Sequence, residues 1–265
     1  KFENGVATED TTRPSGTLIP TGATYTPSGK TALTGNGTNK FPNTPSSGDT
    51  YEEGDYIYTY NKGIITDTVV TDYGTEWSVI VKDKTKTEYG TILSRIAGKP
   101  MTHMRSTFYN CQSLRTAPTI PNSVTDIGEA FFGCGLLRTY KESIDSDMDF
   151  SNYKIPSSVT NMYGTFAYCE RLIIAPKIPD RVTNMKNTFS FCVLLTTAPT
   201  IPSSVTDMSA TFSCCTYLTG TITINANPTD YYYCFGKTGE TIVLTGSSSK
   251  LAEIAATSNG NVTVK

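Results

Sequence analysis

Seven cysteines carry the most reactive side chains of this 265-residue chain. They are Cys111, Cys134, Cys169, Cys192, Cys214, Cys215 and Cys234. A thiol could form a disulfide, bind a metal or pack as a small apolar group. There is no CxxC pair and only one histidine, so a metal site is not expected. We expect buried free thiols, with disulfides between neighbouring cysteines as the alternative.

Three aspartates have the spacing of calcium ligands. Asp145, Asp147 and Asp149 alternate as the first ligands of a calcium loop do. Phe150, however, replaces the glycine that such a loop needs, and Pro156 replaces its closing glutamate. We therefore expect a solvated acidic loop, with calcium binding as the alternative.

General acid–base groups are scarce. His103 has no evident partner, and we expect it to face solvent. Glu129 and Glu170 have no second carboxylate with which to pair, and a nucleophilic serine or cysteine without a base is not a triad. The sequence therefore predicts a protein that is not an enzyme and has no cofactor.

Two groups of aromatic residues are candidates for binding. One group is Tyr109, Phe132, Tyr168 and Phe191, and the other is Tyr56, Tyr58 and Tyr60. Tyrosine is common at interfaces because its ring is apolar and its hydroxyl is polar. We expect these rings to form a surface for a protein or a glycan, and the alternative is that they fill space inside the fold.

A repeat of 23 residues positions the first aromatic group and most of the cysteines. Each copy has Phe four, Cys seven and Leu ten residues after an anchor residue. The anchors are Met104, Ile127, Met162, Met185 and Met208. One interval is 35 residues instead of 23, which places a twelve-residue insertion after Leu137, and a degenerate sixth copy contains Tyr231 and Cys234. A fixed period of this length indicates a solenoid of stacked coils.

The offsets predict the structure of one coil. Positions 0, +4 and +7 share one face of a helix, so we expect a short helix that buries Met, Phe and Cys. Thr and Asp or Asn precede the anchors and would cap that helix. Positions +10 to +16 alternate like a short strand, which the proline at +14 makes irregular.

These offsets are similar to those of BspA-type bacterial leucine-rich repeats. The segment SVTDIGEAFFGCGLL (residues 123–137) resembles the unit of that family, and VTNMYGTFAYCERL (residues 159–172) resembles a variant of it. The resemblance implies an α/β fold, a right-handed leucine-rich-repeat-like solenoid of five to six coils with short helices and strands. It also implies adhesion or binding at the surface of host-associated bacteria, without catalysis.

We predict four segments along the chain. Residues 1–50 are rich in Thr, Ser, Gly and Pro, as in a linker or stalk. Residues 51–100 form an N-terminal cap, with strands in DYIYTY and WSVIVKD and a helix in TEYGTILSRIAGKP. Residues 101–224 hold the repeats, with the insert at 139–154. Residues 225–265 hold the last repeat and a cap with a strand in TIVLTG, a helix in SSKLAEIAAT and a final strand.

The composition of the chain limits which classes of partner are expected. The net charge is −2 and charged residues are only 17% of the chain, so neither nucleic acid nor an anionic membrane is expected as a partner. No apolar run is long enough to span a membrane. We expect an extracellular or cell-surface protein whose export or anchor segment has been removed, and which recognises a host or bacterial surface protein or glycan. A structural spacer or pilus-like component without a specific ligand is the alternative.

Overall fold

The computed structural model of the chain describes residues 2–3, 6–7, 12–62, 75–137, 153–258 and 261–265. The chain divides into two compact units. The N-terminal unit comprises Lys1–Asp83, Tyr89–Met104 and Pro118–Val124. The C-terminal unit comprises Lys84–Glu88, Arg105–Ala117 and Thr125–Lys265. Of the insert predicted at 139–154, residues 139–152 lie outside the described residues.

The described residues of the N-terminal unit form ten strands. Strands β1 (Phe2–Glu3) and β2 (Val6–Ala7) pair antiparallel. The other eight form one mixed sheet in the order β3-β9-β10-β8-β7-β6-β4-β5. Their bounds are β3 Thr12–Arg13, β4 Thr24–Thr26, β5 Leu33–Thr34, β6 Thr50–Glu53, β7 Tyr56–Lys62, β8 Thr75–Val81, β9 Arg95–Ile96 and β10 Lys99–His103.

An aromatic core holds this sheet together. Alternate residues of a strand point to one side, and in β7 that side is the core. Tyr56, Tyr58 and Tyr60 are accordingly only 2%, 1% and 3% exposed. The Tyr56 hydroxyl donates to the Gly90 carbonyl at 2.6 Å, and the Tyr60 ring lies 5.2 Å from that of Trp77. The interpretation of these tyrosines as a binding surface is therefore wrong.

Two further predictions for this unit are wrong. Residues 12–50 are not a linker, because they supply β3, β4 and β5 and bury Tyr25 and Phe41 against the other rings of the sheet. Threonine-rich composition fits an edge-rich sheet as well as it fits a stalk. The helix expected near Tyr89 does not form; that segment is irregular and ends in β9. The strands predicted in DYIYTY and WSVIVKD are confirmed as β7 and β8.

The C-terminal unit stacks the repeats. We number them as coils 1 to 6 by their anchors: Met104, Ile127, Met162, Met185, Met208 and Tyr231. The predicted helix after each anchor is replaced by consecutive tight turns. In coil 2, N–H groups alternate between two kinds of acceptor: Phe131 donates to Thr165 O of coil 3 at 2.9 Å, whereas Phe132 donates to Glu129 O of its own coil at 3.1 Å.

Residues with a left-handed backbone conformation cause this alternation of hydrogen-bond acceptors. Positions +2 and +6 have φ between 51° and 71° in every coil, as at Glu129 (55°) and Gly133 (71°). An α-helix cannot contain such residues at regular intervals, because each one turns the next N–H outward. The prediction of helices in the coils is therefore wrong, although the inward positions +4 and +7 are confirmed by burial of Phe and Cys.

Phenylalanines form the core of the stack. The six rings at +4 stack with centroids 5.3–5.7 Å apart and planes within 11° of parallel. They are Phe108, Phe131, Phe166, Phe189, Phe212 and Phe235. Phe235 shows that coil 6 is anchored at Tyr231, so Thr238 takes the place of the repeated cysteine. Cys234 of this degenerate copy stands at +3, where Thr211 stands in coil 5.

The chain ends in a small parallel sheet and a helix. Strands β11 (Gly220–Thr223), β12 (Ile242–Thr245) and β13 (Val262–Val264) pair in that order. Helix α1 (Leu251–Ala256) buries Leu251 and Ile254. The strand predicted in TIVLTG, the helix predicted in SSKLAEIAAT and the predicted final strand are confirmed as β12, α1 and β13. The handedness of the solenoid and the exact number of its coils stay predictions.

Candidate functional site

Four aromatic rings form a second column on the C-terminal unit. Tyr109 and Phe132 stack with centroids 4.7 Å apart and planes 7° from parallel. Tyr168 and Phe191 stack in the same way, at 4.5 Å and 6°. These four are the residues predicted as a binding surface, and the structure brings them together. Phe191 and Tyr168 are 38% and 39% exposed, so solvent reaches their rings.

The column breaks between its two pairs. Phe132 and Tyr168 are 5.1 Å apart, but their planes are tilted by 44°. The cause lies in the sequence: Tyr109 and Phe132 stand at +5 of their coils, whereas Tyr168 and Phe191 stand at +6. In coils 3 and 4 the +5 position holds a small buried residue, Ala167 in coil 3.

Tyr168 and Phe191 occupy strained backbone positions. Their φ angles are 59° and 61°, a region that bulky residues rarely adopt. Coil 1 has Asn110 at this position and coil 2 has Gly133, the residue types that tolerate it best. Such strain persists where the surroundings hold it, and it is common at functional sites.

A cavity of about 600 Å³ lies at the break in the column. Coils 1, 2 and 3 all contribute to it, and its lining includes Asn110, Gln112, Phe132, Tyr168, Glu170 and Arg171. Ligand sites in proteins commonly enclose about 300–1,000 Å³ and combine apolar walls with a few polar groups. Another cavity of about 500 Å³ lies among the proline-containing segments of coils 3 and 4, beside Ile178 and Pro199.

The repeated cysteines have low reactivity in the folded chain. All seven cysteines are free thiols in the structure. Cys192 Sγ donates to the Phe166 carbonyl of the preceding coil at 3.1 Å, and Cys134, Cys169 and Cys215 make the same contact. Burial raises the pKa of these four thiols well above its usual range, which suppresses the nucleophilic thiolate. Their arrangement serves packing between coils.

Polar residues before the anchors cap turns. Asn184 Oδ1 accepts the Lys186 N–H at 3.0 Å, and Asp207 Oδ1 accepts the Ser209 N–H at 2.9 Å. These residues were predicted as helix caps. They satisfy the same kind of N–H group, although a turn follows them instead of a helix.

The remaining candidates contribute no site. His103 ends β10 and is 8% exposed, with Nδ1 2.8 Å from Thr102 Oγ1, so the expectation that it faces solvent is wrong. Asp145, Asp147 and Asp149 lie outside the described residues. Among the described residues, no three His, Cys, Asp or Glu side chains form a metal-binding group. No helix in that part of the chain has the length and apolarity needed to cross a membrane.

Sequence reasoning missed one exposed aromatic group. Tyr232 and Tyr233 in coil 6 lie 5.2 Å apart and are 74% and 37% exposed. Tyr217 in coil 5 is 56% exposed. The run of three tyrosines at 231–233 could have indicated this group. It was overlooked because coil 6 matches the repeat poorly.

Comparison with known proteins gave one result. The family model described as "BspA type Leucine rich repeat region" matches residues 101–147 and 139–258, in six copies. These ranges cover more than half of the chain. Neither the curated proteins nor the solved structures that were searched contain a match.

Proposed function

The chain belongs to the BspA-type leucine-rich repeat family, and on that basis we propose that it is a non-enzymatic binding or adhesion module at the bacterial surface. Its ligand is a protein or glycan outside the cell. The protein is exported, and the C-terminal unit presents the binding surface.

The aromatic column is the observation that carries this proposal. Its rings are exposed at Tyr168 and Phe191, although burial of these apolar groups would be favourable. The same two rings are held at backbone positions where Asn110 and Gly133 show that smaller residues suffice. Retention of large, exposed rings at a strained position favours selection for recognition over selection for packing.

The test is a binding array of glycans and extracellular-matrix proteins probed with the purified chain. The double variant Tyr168→Asn/Phe191→Asn removes both rings. Asn110 already holds the same left-handed conformation, and asparagine tolerates it well, so the variant should fold. We expect a specific interaction with the unmodified chain and its loss in the double variant.

Tyr217→Asn is the matched control, because it removes an exposed tyrosine that lies outside the column. It should keep the interaction. Absence of any interaction at micromolar concentration would overturn the proposed function and favour a structural spacer. An interaction that survives in the double variant would move the binding surface away from the column.

A further inference from the structure

The break in the aromatic column is the place where two neighbouring rings cover each other least. Within each pair the rings lie 4.5–4.7 Å apart and nearly parallel, so each covers the face of the other and nothing fits between them. The 44° tilt between Phe132 and Tyr168 separates their facing surfaces along one side. The cavity of about 600 Å³ lies there, and both rings line it.

Small residues of coil 2 keep this cavity open. Gly133 stands at the position that Tyr168 fills in coil 3, and a Cβ added to it would clash with Asn110 Oδ1. Gly135 stands at the position that Gln112, Glu170 and Val193 fill in other coils, and a Cβ there would meet no atom within 4 Å. Gly239 also stands at +8 in coil 6, but coil 2 alone has glycine at both positions, and the cavity lies beside it.

The polar lining matches hydroxyl groups. Asn110, Gln112, Glu170 and Arg171 all line the cavity. The two amides both donate and accept hydrogen bonds, the carboxylate accepts, and the guanidinium donates. The one negative and one positive charge balance, so the cavity has no net preference for an ion. A sugar ring combines hydroxyl groups around its edge with an apolar C–H face, which suits a tilted aromatic ring.

We propose that this cavity binds one or two sugar residues of a neutral glycan, with the apolar sugar face against the exposed part of the Tyr168 ring and the hydroxyl groups on Gln112 and Glu170. The proposal rests on the proposed function as a binding module and specifies its ligand class. A peptide fits less well, because the rings line the cavity at one break in the column and do not form a row of apolar subsites along the coils.

The experiment measures binding of the folded full chain to an array of neutral oligosaccharides, with titration of the strongest hit. Gln112→Ala removes a hydrogen-bonding group, Tyr168→Asn removes the ring that contacts the sugar, and Gly135→Leu fills the cavity. We expect each change to weaken binding about tenfold or more, equivalent to at least one lost hydrogen bond or ring contact. Gly135→Leu should fold, because the added side chain enters open space.

Tyr217→Asn is the matched control, since it removes an exposed tyrosine that lies outside the column and does not line the cavity. It should retain binding within about twofold. Glycan binding that is indifferent to all three cavity variants would overturn the cavity as the site, while leaving the binding function intact. A hit confined to the extracellular-matrix proteins of the array described under the proposed function would overturn the glycan assignment alone, and no hit on either array would overturn both proposals.

Discussion

Replacement of Phe189 by leucine tests how much the phenylalanine stack stabilises the coils. The Phe189 ring lies between Phe166, at 5.7 Å and 3° between planes, and Phe212, at 5.6 Å and 7°. The parallel planes and long centroid distances describe offset stacking, a favourable arrangement of two rings. Leucine keeps an apolar side chain in the core but removes both ring pairs.

The expected loss follows from the number of pairs. Each aromatic pair contributes about 0.5–1.5 kcal/mol beyond the area it buries, so Phe189→Leu should lower the free energy of unfolding by about 1–3 kcal/mol. Phe235 lies at the end of the row of six and stacks only on Phe212, at 5.4 Å. Phe235→Leu should therefore cost about half as much, about 0.5–1.5 kcal/mol.

Equilibrium urea unfolding measures both variants. Far-UV circular dichroism follows the chain as a whole, and fluorescence of Trp77, the only tryptophan, follows the N-terminal unit. Both variants should shift the dichroism transition to lower urea without a change of slope. Equal losses at the two positions would refute the reasoning, because they would show that burial alone, and not ring pairing, sets the cost.

Three further predictions concern other groups. With a chromogenic disulfide reagent, we expect one fast-reacting thiol per folded chain, absent from Cys214→Ser, because Cys214 is half-buried and the other six thiols are buried. Above about pH 10 the N-terminal unit should lose stability: burial raises the pKa of Tyr25 and Tyr58, so the unfolded chain releases protons that the folded chain keeps. Each such tyrosine should lower the free energy of unfolding by about 1.4 kcal/mol per pH unit, and Trp77 fluorescence in urea measures the loss. Thr188 Oγ1 contacts the carbonyls of Met162 and Met185 at 2.8 and 2.7 Å. Thr188→Val should therefore cost about 1 kcal/mol in urea unfolding, because it removes the hydroxyl and keeps the shape of the side chain.

The repeat was predictable because it depends on burial. Side chains at 0, +4 and +7 must be apolar wherever they point inward, and Met162, Phe166 and Cys169 are all at most 1% exposed. Their spacing cannot separate a helix from a row of turns, since both place residues four apart on one side. The difference lies in the backbone, at positions such as Asn187 and Ala210, whose left-handed φ angles no side-chain pattern announces.

The N-terminal unit was harder to predict for a related reason. Its strands β3 to β5 are only two or three residues long, too short for an alternating pattern to stand out from threonine-rich sequence. Tyr25 and Phe41 are buried because β6 and β8, later in the chain, supply the rings against which they pack. Long-range contacts of this kind are invisible in a local window.

The candidate site was predictable in its residues but not in its geometry. Tyr109, Phe132, Tyr168 and Phe191 were identified from their recurrence after the inner phenylalanine. The one-residue shift between Phe132 and Tyr168 is visible in the sequence, but the tilt and the cavity that accompany it appear only once the coils are stacked.

The passage from coil 2 to coil 3 bears on how such chains evolve. The anchors of these two coils, Ile127 and Met162, are 35 residues apart instead of 23. Their phenylalanine rings nevertheless stack with centroids 5.6 Å apart, within the range of the other pairs. The Phe131 N–H also donates a hydrogen bond to the Thr165 carbonyl, as the corresponding residues do in the other coils. Selection can therefore lengthen the connection after Leu137, or duplicate a whole 23-residue unit, without having to rebuild any neighbour. A lineage of such genes can vary its surface by insertion and copy number while its interior stays the same.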